Sequence, residues 1–259
     1  MIELASMILL SGLLVAAQHG AHDDARSGDD APAKTHEMHH ANADTAANEY
    51  GDTHAHEHAH DDDATVRHAF DDVEHWVGVF DDTARAAWQM PDSVAGALLL
   101  VPGKVIVDIG AGTGYFNAAF ARRVRPGGKV IAADVEPNLV AHMLRRAAAE
   151  ETPEVFPLLI PTDAPRIPIS ADVVFVCDTY HHIDNRVAYF TSLRSLLNPG
   201  AIVAIVDFKL MEIPVGPPVG HRIAPERVAE EMKTAGYALY REEAFLPYQY
   251  MLLFRVAER

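Results

Sequence analysis

The chain contains a single cysteine, Cys177, among 259 residues. That excludes an internal disulfide and any cysteine-cluster metal site. Cys177 lies in an apolar run, where it reads as a buried structural thiol. Basic residues are also scarce: 21 Lys and Arg stand against 37 Asp and Glu, a formal net charge of −16. Such an acidic chain, with no basic stripe, is not built to hold the phosphate backbone of RNA or DNA. No apolar run is long enough for a transmembrane helix. What is plentiful is apolar residue, 49% of the chain, enough for the core of one α/β domain with sequence to spare.

The acidity is uneven. Residues 1–63 carry thirteen Asp or Glu and two Lys or Arg, eleven of the sixteen net negative charges. Residues 1–17 include an apolar stretch, Ala5–Ala17, of signal-peptide length, with Val15 and Ala17 at candidate cleavage positions. This reads as an export signal to the periplasm or cell envelope. Glu3, in place of a leading Lys or Arg, keeps a cytoplasmic location open.

Residues 18–63 are rich in Ala, Asp and His and nearly devoid of large apolar side chains. Such a stretch buries too little surface to offset its ordering entropy and is expected to be disordered. Its run of His54, His56, His58 and His60, followed by three aspartates, offers imidazole and carboxylate ligands for zinc or another divalent transition metal. The alternative is a solvated spacer that binds metal weakly.

From residue 64 the composition changes, and one domain is expected over residues 64–259. Phe70, Val73, Trp76, Val77 and Phe80 recur at three- and four-residue steps, which predicts a helical lid over about 66–100, broken near Asp81-Asp82 and Pro91. His68, Asp71, Asp72, Glu74 and His75 have the residue types of a metal site, but read as the polar face of that helix.

The rest of the chain is organised around residues 105–120, VIVDIGAGTGYFNAAF. Val105, Ile106, Val107 and Ile109 suit a strand covered on both faces. Gly110, Gly112 and Gly114 then permit positive φ and close approach of a ligand to the backbone. A dinucleotide fingerprint would require glycine where Tyr115 stands. The pattern Asp108-x-Gly110-x-Gly112-x-Gly114 resembles instead the first motif of the class I S-adenosylmethionine-dependent methyltransferases, of the small-molecule kind. The resemblance extends in motif order over roughly residues 66–259.

The resemblance implies an α/β fold: a Rossmann-like, doubly wound, seven-stranded, mostly parallel sheet with an antiparallel C-terminal hairpin. It implies S-adenosylmethionine as cofactor, held by Asp108, Gly110, Ala111, Gly112 and Gly114, by Asp134 and Val135 after strand two, by Asp163 and Ala164 after strand three, and by Asp178 after strand four. The residues themselves point the same way at Asp134, since a carboxylate there can accept both ribose hydroxyls. A helix cap is the alternative role for that side chain. Asp172 opens strand four and reads as structural.

A sulfonium is an activated methyl donor, so an enzyme of this kind must align a nucleophile and, where needed, remove its proton. Candidate bases are His181, His182 and Tyr180 after strand four, and His221 in the long loop 210–222. The paired histidines can equally shape the pocket without moving protons. Asp207, Lys209, Tyr248, Gln249 and Tyr250 are expected on the substrate side or in packing. The expected partner is a small-molecule substrate, with no nucleic acid, no membrane span and no oligomeric state indicated. Two other readings stand beside methyl transfer: an envelope metal-binding protein on an inactive methyltransferase scaffold, and a nicotinamide-dependent oxidoreductase.

Overall fold

A computed structural model describes residues 73–258. Seven strands form one sheet in the order β3-β2-β1-β4-β5-β7-β6. The first five are β1 (Val105–Ile109), β2 (Lys129–Asp134), β3 (Val155–Leu159), β4 (Ala171–Cys177) and β5 (Leu197–Phe208), and they pair in parallel. The last two, β6 (Tyr237–Glu243) and β7 (Gln249–Val256), form an antiparallel hairpin, and β7 also runs antiparallel to β5. The expected doubly wound sheet with its closing hairpin is therefore the fold observed. The order in which strands are added reverses between β1 and β4, which opens a crevice at the carboxyl ends of those strands.

Both faces of the sheet are covered because the central strands carry apolar side chains on both faces along most of their length. On one face Val107, Ile109, Val174, Val176, Val203 and Ile205 pack against α6 (Arg186–Leu193) and α7 (Pro225–Thr234). On the other, Ile106, Val173, Phe175, Ala204 and Val206 meet α3 (Pro91–Ala97) and α4 (Asn117–Val124). Met143 of α5 (Pro137–Ala149) joins that second core. Asp172 is structural, as expected: it accepts from Lys104 Nζ and from the Val105 N–H, both at 2.9 Å, and so fastens the start of β1 to β4.

The described part of the lid comprises α1 (Val73–Phe80), a short turn at Thr83–Arg85, α2 (Ala86–Gln89) and α3. Its breaks fall where the sequence placed them. Asp82 caps the turn by accepting from the Ala84 N–H at 2.9 Å. Met90 adopts a left-handed conformation, φ 47°, before Pro91 starts α3. Among the described residues no helix is long and apolar enough to cross a membrane. The expected export segment, the His-rich stretch with His54, His56, His58 and His60, and His68, Asp71 and Asp72 all lie outside the described residues.

One boundary differs from expectation. Asn198-Pro199-Gly200 reads as the turn that closes a long helix, yet α6 ends at Leu193 and β5 already begins at Leu197. The ladder jumps from Ala171↔Leu197 to Val173↔Ile202, so this tripeptide is a bulge inside the strand, with Gly200 at φ 78°. Proline has no N–H for the ladder, and a bulge is where a strand tolerates it.

A buried polar network fixes the segment after β4. Arg186, 1% exposed, donates from Nε to Glu231 at 2.7 Å and from Nη2 at 3.1 Å, and the Tyr180 hydroxyl donates to the same carboxylate at 2.8 Å. Burial disfavours the ionised Glu231, but its bonds to Arg186, Tyr180 and Arg227 more than offset this and hold its carboxyl below the usual range. Replacing Glu231 by Leu takes from a buried guanidinium the carboxylate it meets through Nε and Nη2. The expected cost is about 3–5 kcal/mol, read as a fall in the urea midpoint; an unchanged midpoint would refute the network's importance.

Candidate functional site

The crevice is built on the turn between β1 and α4. Gly110, Gly112 and Gly114 have φ of 74°, 59° and 84°, values at which a side chain is strained. Gly110 has a second constraint, because an added Cβ would stand 2.2 Å from Thr179 Oγ1. The turn is tied to β2: the Gly110 and Ala111 N–H groups both donate to the Ala133 carbonyl, at 2.8 and 3.1 Å. Helix α4 begins at Asn117 rather than at Tyr115.

Two carboxylates flank this turn. Asp134 accepts from the Gly112 N–H at 2.8 Å and from the Glu136 N–H at 3.0 Å, so one oxygen braces the glycine turn while the other caps the chain entering α5. Burial pushes its carboxyl up, against the lowering effect of these backbone bonds. Asp108 is 2% exposed, and no donor among the described residues reaches its carboxylate. Burial, with the nearby charge of Asp134, pushes Asp108 up to about 8. Both groups sit where a bound cation or N–H donor would favour their ionised forms.

Of the other candidate cofactor residues, Asp163 is exposed and Ala164 half-buried in the loop after β3, and Val135 is exposed beyond β2. Asp178 follows β4 in a left-handed conformation, φ 53°. Its carboxylate accepts from Gln249 Nε2 at 2.6 Å and from Gln89 Nε2 at 3.0 Å, and Arg85 Nη2 lies 3.9 Å away. Burial, then the charge of Asp207, pushes Asp178 up to about 6.

The three candidate bases part company. The residues Tyr180–His182 form one tight turn, so adjacent side chains leave in different directions. Tyr180 is no base: it is fully buried, stacked on Phe190, with its hydroxyl committed to Glu231, and burial raises its phenol well above the usual range. His181 is held by a carboxylate. Its Nδ1 lies 2.9 and 3.1 Å from the two oxygens of fully buried Asp207. Burial opposes the imidazolium, yet Asp207 prevails and the net shift is upward. The His182 ring sits 4.1 Å from that of His181.

His221 is exposed in the loop that Arg222 staples through the carbonyls of Pro217, Lys209 and Met211. Tyr250 is a packing residue, its buried hydroxyl on the Ile223 carbonyl. Lys209 donates to the carbonyls of Leu246 and Pro247. Cys177 is half-buried, and burial raises its thiol well above the usual value. Among the described residues no cluster of His, Cys, Asp and Glu suits a metal ion, and Glu74 and His75 are exposed on α1.

Sequence reasoning missed the lid's own contribution. Asp81 accepts from Thr113 Oγ1 and from Arg146 Nη1, both at 2.8 Å, which fastens the end of α1 to the glycine turn. Arg85 donates to Gln89 at 2.5 Å and to the Phe80 carbonyl at 2.6 Å, with its guanidinium over the Tyr115 ring at 4.7 Å. The four-residue spacing of Arg85 and Gln89 was the available signal, and it does not tell an inward pair from a solvated one.

A pH test follows from Asp108. Its folded value lies above the unfolded one, so the stability linked to its proton is present in acid and lost as pH rises toward 8. The loss is up to about 1.4 kcal/mol per pH unit between about 4 and 8. Asp108→Asn removes this titration, so the variant should melt increasingly above the wild type from pH 5 to pH 8. Parallel melting curves across that range would refute the assignment.

Comparison with known proteins supplies the context. A family model for a methyltransferase domain matches residues 107–203. The ubiquinone/menaquinone biosynthesis C-methyltransferases UbiE of Bordetella parapertussis and Bordetella bronchiseptica are each 30% identical over 128 residues, 47% of this chain and 47% of each relative. The chain thus spans about half the length of these curated relatives. Among solved structures, a SAM dependent methyltransferase from Aquifex aeolicus has a TM-score of 0.67 at 23% identity, covering 72% of this chain and 99% of that one. The mitomycin 7-O-methyltransferase MmcR gives 0.59 at 18% identity, covering 72% and 59%. These structures speak to the fold alone. Residues 107–203 thus match a methyltransferase domain, and the sheet that carries them has the mostly parallel form with an antiparallel closing hairpin expected from the first motif.

Proposed function

We propose that this chain transfers a methyl group from S-adenosylmethionine to a small-molecule nucleophile. The observation that carries the reading is the pair of buried carboxylates, Asp108 and Asp134, on either side of a turn with three positive-φ glycines. A pyrophosphate brought to that turn would meet two carboxylates, which counts against a nicotinamide dinucleotide. A ligand with an ammonium, a sulfonium and a ribose suits the same groups. Asp108, without a protein donor, is placed for the cationic end, and Asp134 for the ribose hydroxyls. Asp163 and Ala164 extend the same edge toward a base ring. When bound, the cofactor supplies an activated methyl group on its sulfonium.

The chain's own task is then to place the acceptor and take its proton. His181 is the base best supported, because Asp207 holds Nδ1 and so orients the ring. The names of the curated relatives and of MmcR mention methylation at carbon and at oxygen, and the acidic composition here suits a small acceptor rather than a nucleic acid.

Calorimetric titration of S-adenosylmethionine and S-adenosylhomocysteine into the full chain tests the first half. Micromolar binding is expected, weakened at least tenfold in Asp134→Ala, about 1.4 kcal/mol. A folded protein that binds neither compound, or binds NADH instead, would overturn the reading.

The pH–rate profile tests the second half. Neutral His181 is the working form, and its value is raised, so turnover should climb with pH through a midpoint above 6.5. Asp207→Asn should move that midpoint toward acid. A profile unchanged in both Asp207→Asn and His181→Ala would remove His181 from the mechanism.

A further inference from the structure

The crevice has a second half, in which Asp178 is the one candidate cofactor residue and which the proposed cofactor contacts of Asp108, Asp134, Asp163 and Ala164 leave free. Asp108, the glycine turn and Asp134 belong to β1 and β2. Asp178 and Gln249 stand at the carboxyl end of β4 and the start of β7, on the opposite side of β1 in the strand order.

Gln249 is the informative residue. It is fully buried, its Nε2 donates to Asp178, and its Oε1 is buried with no hydrogen-bond partner. Leaving a buried carbonyl unpaired costs about 1–3 kcal/mol. Covalent geometry keeps that oxygen beside the Asp178 carboxylate, so two acceptors converge on one spot.

Among the described residues, the donors that reach Asp178 from across the crevice belong to the lid: Gln89 Nε2 at 3.0 Å and, further off, Arg85. The chain therefore places a lid amide where a ligand's donor would go. Arg85 already stands as a cation near Asp178, so the spot does not call for a cationic ligand. Beside it stand flat surfaces: the Trp88 ring of α2 lies 6.1 Å from Phe208 and 6.0 Å from Tyr248.

We infer that Asp178 and Gln249, roofed by α2, form the acceptor subsite, and that it takes a neutral, flat ring bearing a hydroxyl group. The hydroxyl donates into the two converging acceptors and displaces Gln89, while the ring lies against Trp88 and Tyr248. An anionic ring is repelled by Asp178, and a ring without a donor leaves the Gln249 carbonyl unpaired. The inference rests on the methyl-transfer reading, since it assigns the other half of the crevice to the cofactor.

The test uses the full chain saturated with S-adenosylhomocysteine and titrated with 2-naphthol, 2-methoxynaphthalene and 2-naphthoate. 2-Naphthol should bind at least tenfold more tightly than either analogue. Gln249→Met should remove most of that preference while leaving S-adenosylhomocysteine affinity as it was. Trp88→Ala, at a half-buried position of the lid, should weaken all ring binding and serves if Gln249→Met does not fold. Equal binding of 2-naphthol and its methyl ether, or no binding of 2-naphthol to the loaded protein, overturns the inference alone. Failure of S-adenosylhomocysteine to bind the folded protein overturns the methyl-transfer reading beneath it.

Discussion

The cost of holding carboxylates out of water at one edge of the sheet governs this structure. Asp108, Asp134 and Asp178 all sit at carboxyl ends of central strands, and burial pushes each of them upward. A fold built only for stability would place apolar or neutral side chains there. The rest of the molecule compensates in different ways at each group. Asp134 receives two backbone N–H bonds and Asp178 receives two glutamine amides, whereas Asp108 receives none. Where the protein supplies no donor, the ligand has the most to contribute.

The scaffold that carries this edge is conventional in its physics. β-Branched residues fill both faces of the five parallel strands, and the α6–α7 side is locked by the carboxylate of Glu231 between Arg186 and Tyr180. That lock fixes one end of the tight turn that carries His181, and the Asp207 contact fixes the ring itself. Positions far from the crevice thus set the orientation of a side chain inside it, through rigid packing of adjacent residues.

Much of this was legible in the sequence for local reasons. β1, the glycine turn and Asp134 could be read because glycine and β-branched residues have strong conformational preferences within a few positions of one another. The mostly parallel sheet with its closing hairpin was what the resemblance at that first motif implied, and the strand order came from the structure. What escaped depended on distant partners. Tyr180 looked like a neighbour of the site, yet the turn aims it at Glu231, fifty-one residues away. Gln89 and Arg85 looked like ordinary helix surface, and their inward role depends on Asp178 across the fold. Asn198-Pro199-Gly200 carries turn chemistry, and only its ladder partners reveal that the turn is a bulge within β5.

Asp108 also changes what a calorimeter records. With its carboxyl held near 8, the ligand-free protein carries a proton at neutral pH that the ionised, cation-paired form does not. Binding of a cationic ligand beside it must then expel that proton into solution. The heat of association therefore includes the ionisation enthalpy of whatever buffer takes the proton up. Titrations in phosphate and in Tris would differ in enthalpy while agreeing in affinity at one pH, and the difference counts the protons released.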